Sequence, residues 1–218
     1  GVLAVYLADD LAGYGELPCA VPLSGPIRTP RPLLVKDRVR FVGDGVAFVV
    51  AETREQARAA GDAIEVDYRE RVAVASLAAA LAPGAPAIWA DAPGNTVFHW
   101  EVGNAEAADA GLASAAHVTR LRVVQNRVAP TSMEVRAALG VADADGYTLY
   151  TGSQGVAGMR QMLAGQVLKC PPEALRIVTG DVGGGFGMKS FLYAEYALVL
   201  HAAKALGRPV KWTGERSD

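Results

Sequence analysis

The chemistry-bearing residues of this chain gather in one stretch. Residues Gly180 to Ser190 read GDVGGGFGMKS, with five glycines and a lysine. Glycines permit positive φ and let backbone N–H groups approach a ligand closely. A strand-like run, LRIVT (175–179), precedes the loop, and a helix-like run, FLYAEYALVLHAAKALG (191–207), follows it. The start of such a helix would add a positive end. Together these features suit an anionic ligand; a tight turn packing helix on strand would use glycine equally well. The loop is not a P-loop, because Met188 rather than Gly stands before Lys189-Ser190. It is not a dinucleotide fingerprint either: counted from Gly183 the sixth position is Met188, and from Gly185 it is Ser190. Lys189 can pair with a carboxylate or an anion, or cap the loop.

The elements that must position this loop can be read along the chain. Val2–Leu7 is a short apolar strand, and a Pro- and Gly-rich loop follows it over residues 9–34. VRFVGDGVAFVVA (39–51) predicts two strands around Gly43-Asp44-Gly45. Thr53 and Gln56 have capping-box spacing and predict a helix start. AIEVDY (63–68) alternates apolar and polar residues, as a half-buried strand does. Residues 76–95, rich in Ala, Pro and Gly, predict a linker with one short helix. A second unit opens at VFHWEVGN (97–104), with Asn104 as a helix cap. HVTRLRVVQNRV (117–128) predicts a long strand, and residues 134–153 predict a hairpin about Asp145-Gly146. VAGMRQMLAGQVL (156–168) predicts a helix stopped by Pro171-Pro172.

Composition narrows the function. The chain has 218 residues, half of them apolar and a fifth charged, with a net charge of −2. That balance gives no case for nucleic acid or an anionic membrane. The two cysteines, Cys19 and Cys170, lie far apart in sequence; a disulfide between them is open, but two thiols cannot hold an iron–sulfur cluster, and the three histidines lack metal-ligand spacing. No apolar run reaches membrane-span length and no signal peptide is visible, so a cytoplasmic protein is expected. The chain begins in strand rhythm without an initiator Met and stops soon after another strand-like run, so a piece of a longer protein is expected.

Several ordered stretches resemble the molybdenum hydroxylases, the family of xanthine dehydrogenase, aldehyde oxidase and carbon-monoxide dehydrogenase. DVGGGFGMK is similar to the family's GGGFG-x-K loop, and TGSQ (151–154) to its glutamine segment. NRVAPTSMEVRAALG (126–140), VGDGVAFVVAETREQARAAGDAIEVDY (42–68) and LGRPVKW (206–212) resemble further family segments. The resemblance implies an α+β chain: an α/β hammerhead domain over residues 1–75 with its start lying before Gly1, a linker over 76–95, and the first part of a molybdopterin-binding domain over 96–218. It implies that the backbone of Gly184, Gly185, Phe186 and Gly187 approaches a molybdenum–molybdopterin cofactor, with Phe186 on the substrate side. Gln154 would donate a hydrogen bond to an oxygen on the metal, a task suited to a neutral amide. Met133, Glu134 and Arg136 would be structural; taken as strand residues, Glu134 and Arg136 share a face and could pair with each other. Tyr193, Tyr196 and Leu200 would pack in the core, and Glu195 would be solvated or paired.

The implied reaction is hydroxylation of a small substrate with water as oxygen source, or oxidation of carbon monoxide. Iron–sulfur and flavin subunits or domains would take the electrons. Ser190 departs from purine-oxidising members, which carry glutamate there, and so disfavours xanthine. The catalytic glutamate base is expected beyond Asp218, which leaves no catalytic residue and no metal ligand in this chain, and little cofactor retained by it. The isolated chain is therefore expected to be inactive and, through exposed apolar edges, to self-associate. The competing readings are a non-catalytic binding or assembly module and a split subunit completed by another chain.

Overall fold

The computed structural model describes residues 1–19, 27–126 and 128–216. Residues 20–26 of the expected long loop, and Arg127 in the expected long strand, lie outside these. The architecture is α+β. Strands β1 (Val2–Tyr6) and β2 (Phe48–Ala51) pair antiparallel, with an irregularity between Val2 and Ala4. Helix α1 (Arg54–Asp62) follows β2, and Thr53 accepts the Gln56 N–H as the capping pattern predicts. Helix α2 (Leu77–Leu81) is capped by Ser76, and α3 (Ala105–Ser114) by Asn104.

The site rests on a four-stranded sheet. Strands β3 (Ala137–Asp143) and β4 (Gly146–Thr151) form the expected hairpin. Helix α4 (Val156–Met162) runs on into a π-helical turn (Leu163–Leu168), which ends at left-handed Lys169, ahead of the prolines. The chain then enters β5 (Leu175–Val178), parallel to β4. Helix α5 (Ala194–Leu206) crosses the sheet, and β6 (Val210–Thr213) pairs antiparallel with β3, giving the order β5-β4-β3-β6. Leu149, Leu163, Val167, Leu175, Tyr196, Val199 and Leu200 form the buried centre. Gly140 lets α5 lie directly on β3, because a Cβ there would come within 2.7 Å of the Val199 carbonyl.

The N-terminal unit docks on this core. The Gly15 N–H donates to the Val167 carbonyl at 2.7 Å. Tyr6 and Tyr14 meet the His201 ring of α5 edge-on, and Tyr14 Oη lies 3.1 Å from His201 Nδ1. Burial pushes the Tyr14 phenol up to about 12 and lowers the His201 imidazole.

Three expected strands do not form ladders. Around Val39–Val42 the Asp44 carboxylate accepts the Arg40 and Phe41 N–H groups, which gives a local loop instead of the first strand of a hairpin. AIEVDY carries the alternating apolar pattern and HVTRLRVVQNRV is rich in valine, but no second strand pairs with either among the described residues. Leu121, Val123, Val124 and Val128 stand exposed in consequence. Alternation specifies which faces a strand would present; the strand itself needs a neighbour for its N–H and C=O groups.

Candidate functional site

The glycine loop leaves the end of β5 and returns through a short 3₁₀ turn (Met188–Ser190) before α5. Helix α5 starts only at Ala194, so its positive end does not abut the glycines as the sequence suggested. Tyr193 instead donates its hydroxyl hydrogen to the Met188 carbonyl at 2.7 Å.

The glycines serve close approach. Gly184 and Gly187 have φ of 95° and 90°, and Phe186 shares the left-handed region at 49°. A Cβ on Gly185 would come within 2.7 Å of the Gln154 amide carbon. One on Gly183 would lie 2.6 Å from Glu134 Cβ. Around Gly187 the space is open, and a Cβ there would meet nothing within 4 Å.

Gln154 follows β4 and is threaded into the loop. Its Oε1 accepts N–H groups from Gly187 at 3.0 Å and from Lys189 at 3.2 Å. Its own N–H donates to the Lys189 carbonyl at 3.1 Å. Two backbone donors require an oxygen, so the amide nitrogen Nε2 is the atom turned away from them. The structure thus brings Gln154 together with Gly185, Gly187 and Lys189. Phe186 presents its ring outward, 76% exposed. What faces outward is the amide N–H₂ of Gln154 and an aromatic face, beside open space at Gly187, whose own N–H is taken by Gln154 Oε1; an oxygen-bearing ligand fits that donor.

Lys189 and its partner were not legible as a pair. The lysine is 1% exposed, and its Nζ donates to Glu134 Oε2 at 2.6 Å and to the Glu134 carbonyl at 3.0 Å. Glu134 also accepts the Gly183 N–H at 2.8 Å. The Lys189 ammonium and then this N–H hold its carboxyl below the usual range. Glu134 and Arg136 therefore do not pair with each other, and neither lies in a strand, since β3 begins at Ala137. Arg136 pairs with Glu195 at 3.3 Å, its guanidinium over Tyr193 (3.8 Å) and Trp212 (5.0 Å). Tyr196 and Leu200 are core residues as expected, with Tyr193 half-buried beside them. Arg216 holds the same segment from behind, donating to the Ser132 and Met133 carbonyls at 2.6 and 2.7 Å. No signal in the sequence marked that contact. Among the described residues no cluster of three or more His, Cys, Asp or Glu could hold a metal ion, and no helix is long and apolar enough to cross a membrane.

Comparison with known proteins accounts for both units. Residues 88–218 match the family described as molybdopterin cofactor-binding domain. Residues 1–72 match the aldehyde oxidase and xanthine dehydrogenase a/b hammerhead domain. The chain is 34% identical to a Bacillus subtilis protein named as a probable xanthine dehydrogenase subunit, over 97% of this chain and 27% of that one. It is 33% identical to the carbon monoxide dehydrogenase large chain of Hydrogenophaga pseudoflava, over 100% of this chain and 28% of that one. Its fold superposes on quinoline 2-oxidoreductase from Pseudomonas putida 86 with a TM-score of 0.86 and 33% identity, covering 99% of this chain and 27% of that one. For carbon monoxide dehydrogenase from Oligotropha carboxidovorans the TM-score is 0.85 at 29% identity, covering 99% and 28%. The chain thus spans little more than a quarter of the length of these relatives. With the glycine loop, the threaded glutamine and the sheet beneath them inside the matched region, this chain belongs to the molybdopterin cofactor-binding domain family and carries the α/β hammerhead unit of the aldehyde oxidase and xanthine dehydrogenase group.

Proposed function

We propose that this chain forms the glycine-loop wall of the cofactor site in a molybdenum hydroxylase. The observation that carries the reading is Gln154, whose oxygen is bound by two loop amides and whose Nε2 is therefore free to donate to a ligand. Gln154 and the backbone of Gly184, Gly185, Phe186 and Gly187 would hold the molybdenum–molybdopterin group. That group, when bound, supplies the two-electron redox chemistry, and the protein supplies orientation. The Nε2 donor favours an electronegative oxygen without adding charge to the site. The exposed Phe186 ring would offer an apolar face to a small substrate.

The substrate class we favour is an aldehyde, an N-heterocycle or a similar small molecule, or carbon monoxide. Relatives named for carbon monoxide, aldehyde and nicotine chemistry support this breadth. Ser190 supports a non-purine substrate, since it is exposed and offers only a hydroxyl where purine-oxidising members carry glutamate. Iron–sulfur and flavin partners would receive the electrons; relatives named as subunits and large chains support an assembly. Glu134 is the carboxylate that touches the loop, and its bonds to Lys189 and Gly183 occupy it. A general base would come from outside these residues, and the 218-residue chain alone would not turn over.

Molybdenum and pterin content of the purified holoenzyme tests the reading, with Gly185→Ala beside it. Stoichiometric molybdenum is expected in the parent and its loss in the variant, where the new Cβ displaces the Gln154 amide. A holoenzyme without molybdenum refutes the reading.

A further inference from the structure

Lys189 is the one charged side chain that is buried among the described residues. Its bonds run to two separate segments. Through its side chain it holds Glu134, by the carboxylate and the carbonyl. Through its backbone it holds Gln154, donating to Oε1 and accepting from the Gln154 N–H. Glu134 in turn grips the opposite end of the glycine loop. Its Oε2 accepts the Gly183 N–H at 2.8 Å, and its N–H donates to the Gly183 carbonyl at 3.2 Å. One carboxylate oxygen therefore joins Gly183 to Lys189, the two ends of the loop that carries Gly184 to Gly187.

The pair is also braced from outside. The Ser132 hydroxyl donates to the Glu134 carbonyl at 2.7 Å, and Arg216 fixes the two preceding carbonyls. The backbone at Gly152 lies against it, where a Cβ would meet Glu134 Oε2 at 3.5 Å and Lys189 Nζ at 3.7 Å. A buried ammonium without its counter-charge is costly, so the loop ends are held together strongly.

We propose that Glu134 and Lys189 are positioning residues for the cofactor: their ion pair closes the two ends of the glycine loop and thereby fixes the Gln154 amide with Nε2 turned to the ligand. The proposal rests on the reading that this loop holds the cofactor. Lys189 then acts through Gln154, and its charge is spent on Glu134 and not on an anionic ligand.

The test uses the holoenzyme carrying Lys189→Met, with Glu134→Gln as a second variant and Gly185→Ala as reference. Met fits a buried unbranched position and leaves Glu134, 44% exposed, free to hydrate. Two quantities are measured: pterin and molybdenum per subunit, and amide hydrogen exchange at positions 183, 187 and 189 against Tyr196–Leu200 of α5. Cofactor content is expected to fall about 10- to 100-fold, the range seen when groups that orient metal ligands are removed. Loop amides should exchange faster while those of α5 keep their protection. Parental cofactor content and loop exchange in Lys189→Met overturn the proposal. So does faster exchange of α5 in step with the loop, which would make the pair an element of the fold alone. If Lys189→Met does not fold, Glu134→Gln, which keeps an acceptor for the Gly183 N–H, decides on the same two readouts. Loss of pterin in Gly185→Ala with retention in both other variants sinks the positioning role only. Retention in all three sinks the cofactor reading as well.

Discussion

Replacing Gln154 separates its two jobs. In Gln154→Leu the Gly187 and Lys189 N–H groups lose their shared acceptor, at 3.0 and 3.2 Å. The side chain is exposed, so each bond contributes about 0.5–1 kcal/mol net and the pair about 1–2 kcal/mol. For a domain of this size that lowers Tm by about 2–8 °C, at about 2–4 °C per kcal/mol. Gln154→Glu behaves differently. Its carboxylate accepts the same two N–H groups, so the cofactor-free protein should melt with the parent. It has no N–H to donate, however, and it turns negative charge toward an anionic ligand, so pterin binding should be lost. Thermal melting of the cofactor-free protein and pterin content of the assembled one are the two assays. If Gln154→Glu lowers Tm as much as Gln154→Leu, the loop amides do not depend on an acceptor at this position. The orientation inferred for Nε2 then fails too.

Further outcomes follow from other parts of the molecule. Gly140→Ala should destabilise the protein by about 1–3 kcal/mol, because its Cβ meets backbone of α5 that cannot rotate away; an unchanged melting curve would mean the helix can lift off the sheet. The His201 imidazole is lowered in the fold by burial, so its contribution is complete above its ordinary value of 6.5 and is lost as pH falls from there through the lowered one. Asp10 acts to raise it and Lys204 to lower it, with Tyr6 and Tyr14 packed on the ring, and His201→Gln should flatten the pH dependence of Tm across that window. Glu134 is held below 4.5, so its hold on the loop persists above that pH and fades as the medium becomes more acidic; Glu134→Gln should abolish the acid-induced rise in exchange at Gly183. The exposed run at Leu121, Val123 and Val124 should drive concentration-dependent association of the 218-residue chain, and Val123→Lys should weaken it in sedimentation.

Helix starts were legible because their signals are local: Thr53 and Asn104 each need only an N–H three residues on. The loop's place between a strand and a helix was legible for the same reason, and the resemblance pointed to Gln154, whose amide oxygen bonds the loop. What the sequence could not disclose was pairing across distance. Lys189 offered three uses, and only the approach of residue 134, 55 positions away, selects one. The adjacency of Glu134 and Arg136 suggested a mutual pair, yet each turns to a partner brought by α5 or the loop before it. The runs at 63–68 and 117–128 show the converse: each holds residues that suit a strand, but register is a property of two segments and one sequence window holds only one.

Phe186 carries a consequence for evolution. Its φ of 49° is a conformation that costs a non-glycine residue about 1–2 kcal/mol, and its neighbours Gly184 and Gly187 occupy the same region freely. Glycine at this position would relax the backbone, and selection for heat resistance alone would be drawn to it. On the proposed reading, the outward face of the ring has a use that folding does not reward. A thermostabilised descendant of this protein should therefore be checked first at residue 186, where backbone stability and the proposed site pull in opposite directions.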